Sequence, residues 1–123
     1  MGFSMNHTNI CVSDPARSVA FYKRALGLEV LREIKSPDGA YHLTFVGVPG
    51  EAHSLELSWF SDKSGPYVLG DNPTHVNFRA DDFEAARALH DEMGCVVGGS
   101  PYFGVYYIAD PDGYVIEISP AKK

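Results

Sequence analysis

Sliding the chain against itself by 68 positions lays His7-Thr8-Asn9-Ile10-Cys11-Val12-Ser13-Asp14 on His75-Val76-Asn77-Phe78-Arg79-Ala80-Asp81-Asp82. His falls on His, Asn on Asn and Asp on Asp. A self-repeat constrains the fold before any segment is assigned, because both copies must be read as the same unit. Each segment is followed by a helical stretch ending in glycine: Pro15 to Leu26 with Gly27, and Phe83 to Met93 with Gly94. Each half closes on a similar strand, Leu55-Glu56-Leu57-Ser58 and Ile116-Glu117-Ile118-Ser119. The two glutamates are 61 apart, so the second half has shorter loops.

Local signals give both halves the same order. Ser13 or Asp14 can cap a helix opened by Pro15, where a missing N–H costs nothing, and Gly27 suits the left-handed residue beyond its end. Val19, Tyr22 and Leu26 form its predicted apolar stripe. In the second half Asp81 or Asp82 caps, and Phe83, Ala86, Leu89 and Met93 form the stripe. Strands are expected at Glu29 to Lys35, Tyr41 to Val48 and Ser54 to Phe60, then at Cys95 to Gly98, Val105 to Ala109 and Tyr114 to Ser119. Pro37-Asp38-Gly39, Pro49-Gly50 and Asp110-Pro111-Asp112-Gly113 are turn sequences between them. The chain therefore reads as one α+β domain, 1–123, of two βαβββ modules at 5–60 and 75–120 joined by a linker at 61–74.

Composition narrows the function. With 45% hydrophobic and 12% aromatic residues, the 123-residue chain has enough apolar surface to offset chain entropy. No apolar run approaches the roughly 18 residues of a membrane span, and no leader segment is expected. A net charge of −6 without a basic run argues against nucleic acid. Two cysteines, Cys11 and Cys95, form no metal motif and point to a reducing compartment, hence the cytoplasm.

Alternation along the strands sorts the polar residues. Thr8, Ile10 and Val12 share one face and His7, Asn9 and Cys11 the other; Val76, Phe78 and Ala80 oppose His75, Asn77 and Arg79. Leu55, Leu57 and Trp59 oppose Glu56 and Ser58, while Ile116 and Ile118 oppose Glu117 and Ser119. The apolar faces should pack beneath the helices, leaving the polar faces to line something wet. A lone strand histidine is usually a solvated imidazole and a lone strand glutamate an exposed charge. Four such groups at matched positions of two halves point instead to a metal. Neutral imidazole and carboxylate suit nickel, cobalt, iron, manganese or zinc, whereas calcium wants more oxygens. Such a set, His7, Glu56, His75 and Glu117, leaves positions open for substrate. His42, His53 and His90 lack partners of this kind and read as ordinary surface or turn histidines. Cys11 reads as a small cavity-wall residue, and Tyr102, Phe103, Tyr106 and Tyr107 as a cluster that packs or walls a pocket.

This pattern resembles the vicinal-oxygen-chelate superfamily, and within it the short bacterial glyoxalase I, or lactoylglutathione lyase, family. The resemblance spans Asn6 to Pro120. It rests on His7-Thr8, Ser18-Val19-Ala20-Phe21-Tyr22, Leu26-Gly27-Leu28, Leu43-Thr44-Phe45-Val46-Gly47, Leu55-Glu56-Leu57, Tyr67-Val68-Leu69-Gly70, Thr74-His75 and Asp110-Pro111-Asp112-Gly113-Tyr114-Val115-Ile116-Glu117. It implies the glyoxalase/bleomycin-resistance/dihydroxybiphenyl dioxygenase fold, an open barrel-like mixed sheet around a metal cavity. It also implies a lyase of methylglyoxal detoxification that isomerises the hemithioacetal of methylglyoxal and glutathione to S-lactoylglutathione. The implied cofactor is one divalent ion per site, nickel or cobalt foremost and zinc as an option. Glu117 would be the base on a metal-stabilised ene-diolate and Glu56 its counterpart. The site would be shared across a homodimer, His7 and Glu56 of one chain meeting His75 and Glu117 of the other.

The family's glutathione-binding residues are not all present. Cys11 stands where the family has arginine, Phe60 where it has asparagine, and Gly98 to Gly104 carries no Lys or Arg. By the repeat, Arg79 occupies the place of Cys11 in the second half and is expected to receive a substrate carboxylate; Asn9 and Asn77 are the other expected substrate contacts. Two alternatives remain: a superfamily epimerase or thiol transferase acting on another small molecule, and a metal-free drug-binding protein of the bleomycin-resistance type, which generally loses the His and Glu set.

Overall fold

Helix and strand boundaries follow from caps and turns. In the computed structural model, which describes residues 1–121, Asp14 rather than Ser13 caps the first helix, its carboxylate accepting from the Arg17 N–H at 3.2 Å. Helix α1 runs Pro15–Leu26 and stops at Gly27, whose φ of 67° only glycine adopts without strain. In the second half Asp82 caps α2, Phe83–Met93, through the Ala85 N–H at 3.0 Å, and Gly94 terminates it.

Strands β1 His7–Cys11, β2 Glu29–Lys35, β3 Tyr41–Gly47 and β4 Ser54–Phe60 form one sheet in the order β1-β4-β3-β2. Strands β5 His75–Ala80, β6 Val96–Ser100, β7 Val105–Ala109 and β8 Val115–Pro120 form another in the order β5-β8-β7-β6. In each sheet the first strand lies parallel to the last and the remaining pairs are antiparallel. Each sheet is open, with two outer strands; neither closes into a barrel. The α+β reading and the two βαβββ orders hold. Boundaries differ by one or two residues at β3, β6 and β8, where fraying pairs decide the end. Contacts divide the chain into two units, Met1–Tyr67 and a second from Val68 onward.

In the first unit α1 packs against β2, β3 and β4. Its buried residues are Ser18, Tyr22 and Ala25; the expected stripe of Val19, Tyr22 and Leu26 is rotated by about one position, with Val19 and Leu26 only half-buried. The cause is the close approach of helix to sheet, which small residues at 18 and 25 allow. Beneath it lie Val12, Val46, Leu55 and Leu57. Each fully buried side chain of this kind stabilises by roughly 1.5–3 kcal/mol.

In the second unit α2 packs on β5 and β8, over Tyr106, Ile108, Ile116 and Ile118. The expected stripe residues Phe83, Ala86, Leu89 and Met93 are half-buried, and the fully buried helix residue is His90. His90 is therefore no surface histidine. Its Nδ1 bonds the Tyr106 hydroxyl at 2.8 Å, a contact that lets both polar groups be enclosed. His42 lies within β3, bonded to Glu33 at 2.9 Å, and His53 bonds Thr8 Oγ1 at 2.9 Å. The four aromatics expected to cluster do not. Tyr106 is buried under α2, Tyr107 points to the opposite face, and Tyr102 and Phe103 are exposed on the 101–104 turn.

One turn sets the geometry that follows. Between β7 and β8 the buried Asp110 carboxylate accepts from the N–H groups of Asp112 and Tyr114, both at 2.9 Å, and Gly113 supplies φ 92°. This Asx-type turn fixes the hairpin register so that Tyr107 stands directly opposite Glu117. Among the described residues no helix is long and apolar enough to cross a membrane.

Candidate metal centre

The face of each sheet away from its helix carries one histidine and one glutamate on adjacent parallel strands. In the first unit Asn9 on β1 is paired with Glu56 on β4, which is paired with Phe45 on β3, which is paired with Arg32 on β2. In the second unit Asn77, Glu117, Tyr107 and Gly98 form the matching row across β5, β8, β7 and β6. Both outer strands carry an irregularity one residue before the row, at Val30/Arg32 and at Val96/Gly98. The repeat thus extends to the sheet defects.

In the first unit His7 Nε2 stands 3.9 Å from Glu56 Oε1. Its other nitrogen, Nδ1, lies 2.6 Å from Asn6 Oδ1. A carbonyl there can only accept, so this contact favours the proton on Nδ1 and an Nε2 able to act as a donor atom, the tautomer a ligand imidazole needs. The ring stands edge-on to Phe45, centroids 5.5 Å apart. Glu56 Oε1 has the Ser58 hydroxyl at 3.3 Å, but that hydroxyl lies nearer Asn9 Oδ1, at 2.5 Å. Having one proton, Ser58 donates to the closer acceptor first.

In the second unit His75 Nε2 stands 3.6 Å from Glu117 Oε2. Here the carboxylate is held at both oxygens. The Asn77 amide donates to Oε1 at 2.8 Å and to Ser119 Oγ at 3.1 Å, and the Tyr107 hydroxyl donates to Oε2 at 3.3 Å. Burial, then the Glu117 charge and the hydrogen bond to it, raise the Tyr107 phenol above its ordinary value, so it stays a donor. Its ring packs against His75 at 5.7 Å, as Phe45 does against His7.

The donor chemistry fits a divalent transition ion. Two ligands about 2.1 Å from one ion and separated by a right or tetrahedral angle lie about 3.0–3.4 Å apart. The observed pairs, at 3.6 and 3.9 Å, exceed the tetrahedral value by about 0.2–0.5 Å and the right-angle value by about 0.6–0.9 Å, a closure that rotation of the side-chain torsions supplies. Among the described residues no three His, Cys, Asp or Glu side chains form one cluster; the donors stand as pairs.

The expected substrate contacts are placed differently from one another. Asn77 braces Glu117, and Asn9 binds Ser58 and approaches Cys11 Sγ at 3.9 Å. Arg79 is exposed at the end of β5, on the His75 face. Sequence reasoning missed Asn6, Phe45 and Arg32 as neighbours of the site; it placed Tyr107 in an aromatic cluster and Ser58 on the polar face without assigning either as a donor to a glutamate. Their signal was present: Phe45 and Tyr107 recur with nearly the same offset as the glutamates.

The repeat, the paired sheets and the matched His–Glu pairs define a class, and residues 4–118 match the Glyoxalase/Bleomycin resistance protein/Dioxygenase superfamily. The chain belongs to that superfamily. Within it the chain is lactoylglutathione lyase-like: it is 38% identical to the lactoylglutathione lyase of Haemophilus influenzae over 94% of this chain and 91% of that protein. The trypanothione-dependent glyoxalase I of Leishmania major superposes with a TM-score of 0.85 at 28% identity, covering 97% of this chain and 87% of that one. TnmS3, an antibiotic-binding protein from Streptomyces sp. CB03234, superposes with a TM-score of 0.74 at 25% identity over 99% of both chains.

Proposed function

We propose that this chain isomerises the hemithioacetal of methylglyoxal and glutathione to S-lactoylglutathione, in the cytoplasm, as a metal-dependent homodimer. The observation that carries the reading is the pair of oriented His–Glu couples, at 3.9 and 3.6 Å, at equivalent places in two repeated sheets. His7, Glu56, His75 and Glu117 would hold the ion, His7 and Glu56 of one protomer facing His75 and Glu117 of the other. A bound nickel or cobalt ion, or zinc, supplies positive charge where negative charge develops on the substrate oxygens.

The chain's own groups supply the rest. Isomerisation breaks the C–H bond at the sulfur-bearing carbon and forms one at the neighbouring carbon, with no net change in protons or electrons. Glu117 accepts the first proton; its orientation is set beforehand by Asn77 and Tyr107. Glu56 is its counterpart on the other sheet, able to return a proton. Arg79 receives a substrate carboxylate, a task for which a planar, permanently charged fork is suited.

The test is formation of S-lactoylglutathione by the purified protein after stripping and reloading with nickel, cobalt or zinc. Activity in at least one loaded form is expected; inactivity of all of them overturns the proposal. The likeness to TnmS3 favours a second reading, sequestration of a small molecule without metal. Purified protein that retains no stoichiometric metal and gains no activity on loading would select it.

A further inference from the structure

The two rows across the sheets match at three places and part at the fourth. Asn9, Glu56 and Phe45 answer Asn77, Glu117 and Tyr107, but Arg32 answers Gly98. By strand alternation, Arg32 is the one Lys or Arg on the helix-free face among the strands of the first sheet; Lys35, three residues on, points to the helix side. Among the described residues no carboxylate pairs with its guanidinium. Instead the group lies 4.2 Å above the Phe45 ring centroid. A cation over an aromatic face is attracted to it, and a guanidinium carries five N–H donors around its own edge for an anion to meet.

We infer that Arg32 is the receiver for an anionic group on the thiol part of the substrate, an inference that rests on the glyoxalase reading. Charge and reach together select the kind of thiol. The guanidinium carbon is 4.2 Å from the Phe45 centroid, itself 5.5 Å from the His7 centroid, so it stands at most about 10 Å from the imidazole and an anion bound beyond it at most about 14 Å, the span of about four extended residues at 3.3–3.6 Å each. A carboxylate on a short acidic peptide thiol such as glutathione falls inside that limit, and a simple alkyl thiol carries no anion for the guanidinium to bind. The site does the work of a cation in a chain with Cys11 at the other edge of this face and no Lys or Arg from Gly98 to Gly104. In the row of the second sheet Gly98 stands in the place of Arg32, and a Cβ added there would sit 3.9 Å from Tyr107 Cδ2. The two rows are therefore unequal: the first carries a cation stacked on its aromatic ring and the second does not.

The experiment compares Arg32→Gln and Arg32→Lys with the parent protein on two adducts of methylglyoxal, one with glutathione and one with glutathione dimethyl ester. Thermal midpoint and bound metal are measured for each variant. The expected result is a KM for the glutathione adduct raised about 10–100-fold in R32Q, the scale of one charge-assisted contact, with kcat within about twofold. The ester adduct should be insensitive to the substitution, and R32K should fall between. Unchanged KM for the glutathione adduct overturns the inference and leaves the glyoxalase reading intact. Equal losses on both adducts also overturn it, since they assign Arg32 to packing on Phe45 alone. If the parent protein turns over neither adduct, the glyoxalase reading fails, and calorimetric binding of S-methylglutathione decides separately: binding lost in R32Q supports the anion site, and equal or absent binding overturns it.

Discussion

Substituting Asn77 tests whether the two half-sites differ as their hydrogen bonds indicate. In Asn77→Ala the Glu117 carboxylate loses a donor at 2.8 Å and keeps only the longer Tyr107 contact at 3.3 Å. A hydrogen bond to a charged group contributes about 1.5–3 kcal/mol, and removing a partner that orients a ligand typically weakens metal binding about 10–100-fold. Asn9→Ala removes the corresponding amide of the first sheet. That amide reaches Glu56 only through Ser58, whose proton then turns from Asn9 to Glu56 Oε1. The loss in N9A should be no more than about threefold, because one donor is exchanged for another. Competition of each apo-protein with a chromophoric chelator for cobalt measures both affinities, and the cobalt visible spectrum reports whether the coordination sphere is preserved. Affinity in N77A within twofold of the parent, or a larger loss in N9A than in N77A, would refute the argument that Glu117 is the more firmly positioned carboxylate.

Other outcomes follow from single contacts. Arg79→Ala should raise KM for the glutathione adduct about tenfold without changing bound metal; an unchanged KM in steady-state assay removes Arg79 from substrate binding. Tyr106→Phe removes the hydroxyl bonded to the buried His90 Nδ1 and should destabilise by about 2 kcal/mol, roughly 8 °C in Tm for a chain of this size, as read by calorimetry. Burial pushes the Tyr106 phenol up to about 12 from 10, with Arg87 opposing. The unfolded chain thus ionises before the folded one, so stability is intact below pH 10 and falls as pH rises toward 12; Y106F should flatten that slope in alkaline denaturation. Asp110→Ala leaves the Asp112 and Tyr114 N–H groups without their acceptor and should cost about 2–4 kcal/mol in urea unfolding, with a parallel loss of activity as the Tyr107–Glu117 register loosens.

Much of the fold was legible because the code for it is local. Caps at Asp14 and Asp82, stops at Gly27 and Gly94 and turn residues at 110–113 act on neighbouring backbone, and the repeat doubled each signal. What was not legible depends on packing depth. Helical periodicity gave Val19 and Leu26 the same rank as Tyr22, whereas close approach to the sheet buries Ser18 and Ala25 instead. His90 looked like a surface residue because polarity was read without its partner; Tyr106, sixteen positions away, makes its burial tolerable. The aromatic run at 102–107 was read as one group although strand alternation sends Tyr106 and Tyr107 to opposite faces.

The site shows the same division. Four donors could be chosen by their recurrence, since each lies in a segment that matches its copy. Their neighbours could not, because Arg32, Phe45 and Glu56 meet only through the register of β2, β3 and β4, and that register depends on an irregularity at Val30/Arg32 with no sequence signature of its own. Once the register is known, comparison of the two rows becomes informative in a way comparison of the two sequences was not. Positions that agree, Asn–Glu–aromatic, surround the carboxylate and imidazole of either sheet, although only Asn77 bonds its glutamate directly while Asn9 acts through Ser58. Positions that differ, Phe45 against Tyr107 and Arg32 against Gly98, are where one unit departs from its copy. The hydroxyl of Tyr107 falls on Glu117 and the charge of Arg32 falls on the first sheet, so the carboxylate with more donors and the face with the stacked cation belong to different copies.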